Sequence, residues 1–175
     1  MYEFSPELQK KLSCGPFGIN TGGDGDTKDP MDYNGHGTHC AGIIAGSWNG
    51  IGISGMASGC RVMAIKTENE KGDLTNDGVV KAMAFVADAA DNGIDVRAVN
   101  NSFGGTIAAP CLSVELMELN KRGIVCTYSS GNENACCDIA DNTTNQFYRA
   151  SNSVIVNAAT PAYTKCEFSN YGKGA

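Results

Sequence analysis

Residues 60–101 read CRVMAIKTENEKGDLTNDGVVKAMAFVADAADNGIDVRAVNN, and this stretch decides the fold class. Residues 60–66 (CRVMAIK) are a short β-rich run. Thr75, Asn76 and Asp77 then offer N-capping side chains ahead of Val79, Val80, Met83, Val86, Ala87 and Ala90. That spacing is one apolar face of a helix, and Asn92-Gly93 supplies its stop. Residues 94–101 read as the next strand. A strand, a helix and a strand joined by short connections predict a parallel pair with a right-handed crossover.

The same alternation continues downstream. Leu112, Leu116 and Leu119 make a second helical stripe that ends at Gly123. Residues 123–128 (GIVCTY) and 154–158 (VIVNA) are two further strands. The fold class is therefore α/β, a mostly parallel sheet flanked by helices. Such sheets place ligands at the carboxyl ends of their strands. Here those ends are Ser102-Phe103-Gly104-Gly105 and Ser129-Ser130-Gly131-Asn132, both polar and glycine-containing.

Composition narrows the class. The chain has 175 residues, the size of one domain. Hydrophobic residues make up 42% and charged residues 18%, enough apolar character for a core and too little charge for a disordered chain. The 22 glycines follow no Gly-X-Y period, so they mark turns and close approaches rather than collagen. The net charge is −6 and the basic residues are scattered singly, which excludes the basic patch of a nucleic-acid binder. No apolar stretch approaches the roughly 18 residues of a membrane span. The start, Met1-Tyr2-Glu3-Phe4, has neither the basic nor the apolar region of a secretory signal. Eight cysteines without a CxxC pair disfavour a structural zinc site and suit a protein of the secretory pathway.

The chemistry concentrates in Asn34-Gly35-His36-Gly37-Thr38-His39-Cys40-Ala41-Gly42. Its glycines let a helix begin at the histidine, and Ala41, Ile43, Ile44 and Ala45 are expected to carry that helix into the core. A histidine at a helix start can be open on one side and held on the other, as a general base must be. The bland alternative is a capped turn with a satisfied histidine. A metal site through His36, His39 and Cys40 lacks the usual spacing of two histidines around a glutamate.

Taken with its continuation, NGHGTHCAGIIAG (34–46) resembles the histidine block of the subtilisin-like serine proteases, in the cysteine variant of proteinase K-like and some protist members. Further blocks follow in the family's order. Asn101-Ser102-Phe103-Gly104-Gly105 resembles the strand end beside the P1 side-chain pocket, Ser129-Ser130-Gly131-Asn132-Glu133 the oxyanion block, and Phe168-Ser169-Asn170-Tyr171-Gly172 the strand before the nucleophile. The resemblance implies a three-layer α/β subtilisin-like fold. It also implies peptide-bond hydrolysis through a Ser/His/Asp triad, with His36 as general base and Asn132 as oxyanion donor. Gly72, Ser102, Phe103 and Gly104 would pair with substrate backbone as an added strand, and Ser129, Ser130 and Gly131 would line the P1 pocket. The implied partners are a polypeptide substrate and an inhibitory propeptide.

Of the implied triad only the histidine is found. Ser5-Pro6-Glu7-Leu8 resembles the turn that follows the family's aspartate, and the Gly-Thr-Ser-Met-Ala block of the serine is absent. The expectation is residues 1–175 as a partial catalytic domain, incomplete at both ends and inactive as written. The alternative is a catalytically dead pseudoprotease or peptide-binding module. Asp24, Asp26, Asp29 and Asp32 are assigned to a solvated or calcium-binding loop and not to the triad. Tyr148-Arg149-Ala150-Ser151 lacks the family's proline after the tyrosine. Cys40 is expected as a buried free thiol, and Trp48, Phe85 and Phe103 as core or pocket wall.

The resemblance further implies a calcium site. The carbonyls of Ser47, Ile51 and Ile53 and the side-chain oxygen of Asn49 would converge on a loop curved by Gly50 and Gly52. A bidentate Glu7 would bring the set to about six oxygens, the lower end of calcium's range. The sequon at Asn142 lies in a polar loop suited to glycosylation in a secreted protein; the one at Asn100 lies in a strand.

Overall fold

In the computed structural model, which describes residues 18–23, 25–104, 109–138 and 146–172, the chain forms two units, Met1–Gly78 and Val79–Ala175. Each carries its own parallel sheet.

In the first unit β1 (Gly18–Asn20) pairs in parallel with β2 (Ala64–Lys66), Ile19 opposite Ile65. β1 is three residues long, too short to show a pattern in sequence. The β-rich run expected over 60–66 pairs only over β2, and at its start the Cys60 amide closes a turn on the Ala57 carbonyl, 2.9 Å away. Between the strands runs α1 (His36–Ala45), which ends at Gly46. Only Ala41 and Ala45 of its expected apolar face are buried; Ile43 is 48% exposed. Trp48 is likewise 73% exposed rather than core, its indole N–H held by the Gly55 carbonyl at 2.8 Å.

Helix α2 (Asn76–Asp91) begins where the capping residues predict, with the Thr75 hydroxyl accepting the Gly78 amide at 3.0 Å. Val79, Met83, Val86 and Ala87 of the predicted face are buried and Ala82 joins them, while Val80 and Ala90 are half-buried. Gly93 ends it with a φ of 88°, in the left-handed region that suits glycine after a helix.

The second unit holds the three-stranded parallel sheet β3 (Ala98–Asn101), β4 (Val125–Ser129) and β5 (Ser153–Val156), in that order. β5 begins one residue earlier and ends two earlier than the predicted 154–158, while β3 and β4 begin later than predicted for one reason. The Ile94 amide returns to the Ala89 carbonyl and the Ile124 amide to the Leu119 carbonyl, so the first residues after each helix close that helix before the ladder begins. Helix α3 (Pro110–Lys121) has Pro at its start and fully buries Leu112, Leu116 and Leu119, as their spacing predicts. The four-residue helix α4 (Gln146–Arg149) contributes Phe147, whose ring stacks on Tyr128 at 4.5 Å. The α/β class with parallel strands and intervening helices is as expected. No described helix is long and apolar enough to cross a membrane.

Because the strands are parallel and in register, Asn101, Tyr128 and Ile155 lie abreast and all three strands end at the same edge. Whatever follows those strands is brought together by topology alone.

Candidate active site

His36 is the first residue of α1, directly after Gly35, whose φ of 93° turns the chain into the helix. Its ring is exposed, and Nε2 lies 3.8 Å from the Cys40 sulfur one helical turn on. Cys40 is a free thiol, but half-buried rather than buried. Asp32 holds the helix start. Its Oδ2 accepts the Thr38 amide at 2.8 Å and the Thr38 hydroxyl at 2.6 Å, while Oδ1 accepts the amides of Gly35 and Asn34 at 2.8 and 3.0 Å. Partial burial works to raise its pKa, but the Thr38 hydroxyl and the amides of Gly35, Thr38 and Asn34 outweigh burial and hold the carboxyl below its ordinary value. Asp32 is therefore a helix cap and not the solvated or calcium-binding carboxylate expected. Asp26 and Asp29 each close a local turn, on the amides of Lys28 and Met31; Asp24 lies outside the described residues.

In the second unit Ser102, Ser129, Ser130, Gly131 and Asn132 line one cavity of about 220 Å³ at the carboxyl edge of the sheet. Asn100, Asn101, Thr127, Tyr128, Val156, Asn157 and Ala158 complete it. Pockets that take whole small molecules are about 300–1,000 Å³, so this one suits a single side chain. The Asn101 side chain, almost fully buried, donates to the Thr127 carbonyl at 3.0 Å and locks the strand ends that form the floor. Asn132 stands on the rim, exposed, and among the described residues its side-chain amide has no hydrogen-bond partner. A free amide at the mouth of a cleft is a donor available to a ligand oxygen.

Phe103 does not line this cavity. It packs edge-on against Tyr128 and Phe147 at 5.8 and 6.2 Å, which takes the first of the two roles, core or pocket wall, left open for it. Gly104 follows, exposed, and a Cβ there would meet nothing within 4 Å; Gly105 lies outside the described residues. Gly72 is in the first unit, on an exposed turn closed by the Asn69 side chain, and is equally open. Phe85 is half-buried.

The expected calcium loop has its glycines at positive φ, 78° for Gly50 and 67° for Gly52, so the chain curves there as required. Asn49 Oδ1 accepts the Ile51 amide at 3.0 Å, and the Asn49 amide donates to the Ser47 carbonyl at 3.0 Å. Ile51 and Ile53 are exposed. Glu7 lies outside the described residues, as does Asn142. Among the described residues no three His, Cys, Asp or Glu side chains converge as a metal site. Among the described residues no disulfide is formed; burial pushes the Cys126 thiol up to about 11.

Sequence reasoning missed two residues behind the cavity, Tyr148 and Asn170. The Tyr148 hydroxyl donates to the Ser130 carbonyl at 3.2 Å and contacts the Cys137 sulfur at 3.2 Å; burial, then Cys137, holds its pKa well above the ordinary tyrosine value. Asn170 donates to the same carbonyl at 2.7 Å. Tyr148 drew attention only for the proline it lacks behind it, and Asn170 only as part of the FSNYG run; neither had a local signal of its contact.

Comparison with known proteins bears on this geometry. The model of the subtilase family matches residues 4–175. Subtilisin-like protease 2 of Pseudogymnoascus destructans is 34% identical over 142 residues, covering 81% of this chain and 32% of that protein. A thermophilic serine proteinase of a Bacillus species is 32% identical over 145 residues, covering 82% of this chain and 33% of its own. The chain thus spans about a third of the length of these curated relatives. Among solved structures, a cold adapted subtilisin-like serine proteinase superposes with a TM-score of 0.68 at 27% identity, over 90% of this chain and 53% of that one. A lanthipeptide protease superposes with a TM-score of 0.74 at 22% identity, over 97% of this chain and 49% of its own, a likeness of fold alone.

Proposed function

The chain belongs to the subtilase family, and from that premise we propose that it is part of a serine endopeptidase, to which it contributes the general base and one oxyanion donor. The observation that carries the reading is the pairing of motif with exposure: His36 opens a capped helix with its ring free to solvent, and Asn132 offers an unpartnered amide on the rim of a side-chain-sized cavity. His36 takes the proton of the attacking serine and returns it to the leaving amine. Asn132 donates to the oxyanion of the tetrahedral intermediate, a bond that strengthens only as charge develops. Ser129, Ser130 and Gly131 bound the P1 pocket, a role supported by their place in the cavity wall. Ser102, Phe103 and Gly104 in the second unit, and Gly72 in the first, each offer backbone to pair with an extended substrate, with the open space beside each glycine as support. Phe103 acts there through its backbone, since its ring belongs to the core.

Calcium is the proposed structural ion, held by the carbonyls of Ser47, Ile51 and Ile53, the side chain of Asn49 and the carboxylate of Glu7. The neutral, hard oxygens of this loop and its curvature at Gly50 and Gly52 support the assignment. An inhibitory propeptide and an extracellular setting complete the proposal. A relative from Arthrobotrys oligospora, named as a cuticle-degrading serine protease and 33% identical, favours the latter.

The test is kinetic. In the protease expressed from its whole gene, His36→Ala should cost at least about 10²–10⁴-fold in kcat, the contribution of a general base. Asn132→Ala should cost about 10²–10³-fold with KM little changed. The 175-residue chain alone should neither cleave a fluorogenic peptide nor label with a fluorophosphonate. Activity of that chain abolished by His36→Ala would overturn the assignment of the serine to another block. A gene product that binds peptide without cleaving it would establish the pseudoprotease instead.

A further inference from the structure

We propose that Asn170 is a positioning residue for the oxyanion donor: its buried amide fixes the backbone on both sides of Asn132 and so sets where Asn132 presents its own side chain. The inference rests on the role of Asn132 given above. Asn170 is 7% exposed. An asparagine side chain offers two N–H donors and one carbonyl with two lone pairs. All of that capacity is spent on one loop. Oδ1 accepts the amides of Glu133 and Ala135 at 3.1 and 2.9 Å, and Nδ2 donates to the Ser130 carbonyl and to Glu133 Oε2, both at 2.7 Å. The Asn170 backbone amide adds a bond to the Gly131 carbonyl at 3.2 Å.

The neighbours close the clamp. Glu133 Oε2 also accepts the Asn132 amide at 3.0 Å, so residue 132 is tied to Asn170 through a shared carboxylate. The Ser130 carbonyl receives the Tyr148 hydroxyl as a second donor, and the Ser130 amide is held by the Val156 carbonyl at 3.0 Å. Gly131 has a φ of 107°, and a Cβ there would stand 2.4 Å from both Asn170 Nδ2 and Glu133 Oε2. Only glycine lets the clamp approach this closely. Ser169 anchors the other side, its hydroxyl accepting the Ala158 amide at 2.9 Å where β5 ends. The backbone around Asn132 is thus held on every side, while the Asn132 side chain is exposed. That division is what a preorganised donor needs, since a donor that must first be ordered loses the advantage of being in place.

Two variants test this. Asn170→Ala deletes all four side-chain bonds. Asn170→Asp keeps the shape and the two accepted amides but sets an acceptor against the Ser130 carbonyl and the Glu133 carboxylate. In the 175-residue chain, Asn170→Ala should speed hydrogen exchange at the Glu133 and Ala135 amides by about tenfold, with α3 amides unchanged. In the protease from the whole gene it should lower kcat by about tenfold or more while KM moves less than about twofold. Added to Asn132→Ala, it should cost nothing further in kcat. An equal kcat loss with and without Asn132 would show a general structural role and overturn the proposal. So would unchanged kcat in a folded variant when Asn132→Ala is strongly impaired. If Asn132→Ala itself leaves kcat unchanged, the reading of Asn132 falls first and takes the proposal with it. Should Asn170→Ala not fold, Asn170→Asp carries the same comparison.

Discussion

Asp32 decides where the histidine helix begins. The residue at the cap position, Gly35, has no side chain to offer, so four donors at the start of α1 converge on a carboxylate three residues earlier. Replacing it with alanine should cost about 1–2 kcal/mol at neutral pH, the upper range for a lost helix cap. The pH dependence has a fixed sign. The folded-state pKa lies below the unfolded value of about 3.9, so the contribution is complete above that value and is lost as pH falls through the folded one. Thermal melts of the parent and Asp32→Ala between neutral and strongly acidic pH should therefore converge at the acid end. A gap that stays constant down to that end would show that the charged form is not what caps the helix. The sequence places Asp32 in a loop broken by glycine and proline, and it is in one. Its function was hidden because its bonds reach six residues ahead to Thr38, beyond the usual span of a cap motif.

The elements were legible where one face repeats for three turns. In α3 the spacing of Leu112, Leu116 and Leu119 forecast the buried stripe, and all three are fully buried. Leu116→Ala should cost about 2–5 kcal/mol in urea unfolding, and Val114→Ala, 56% exposed, well under 1. Equal costs at the two positions would mean the stripe is not the packed face. The strands were legible in kind and blurred in extent. Residues 94–101 were read as one strand, yet the Ile94 amide closes α2 and the Val96 amide bonds back to the Ile94 carbonyl, so cross-strand bonding starts only at the Arg97 carbonyl, which accepts the Val125 amide at 3.1 Å. α1 is the element the pattern misjudged: a run of small and branched apolar residues suggested burial for Ile43, but helix burial is decided by what packs on each face.

For the whole molecule, calcium would act by mass action on the folded state. Millimolar calcium should raise the melting temperature of the 175-residue chain, and Asn49→Ala or Glu7→Ala should each remove the gain. An unchanged melt of the folded parent would dismiss the site. The sequence by itself determined the α/β class, the start of α1, both ends of α2 and the blocks that identify the family, because these depend on periodicity and on residues adjacent in the chain. It also placed Ser129, Ser130, Gly131 and Asn132 at a strand end, from which a parallel sheet makes a site edge. The tertiary structure alone decided that the Phe103 ring faces the core, that Trp48 lies open to solvent, and that Asn170 and Tyr148 grip the Ser130 carbonyl. The two bonds to the Ser130 carbonyl join residues 18 and 40 positions apart, and nothing in the local pattern of either partner records which distant segment will be folded against it.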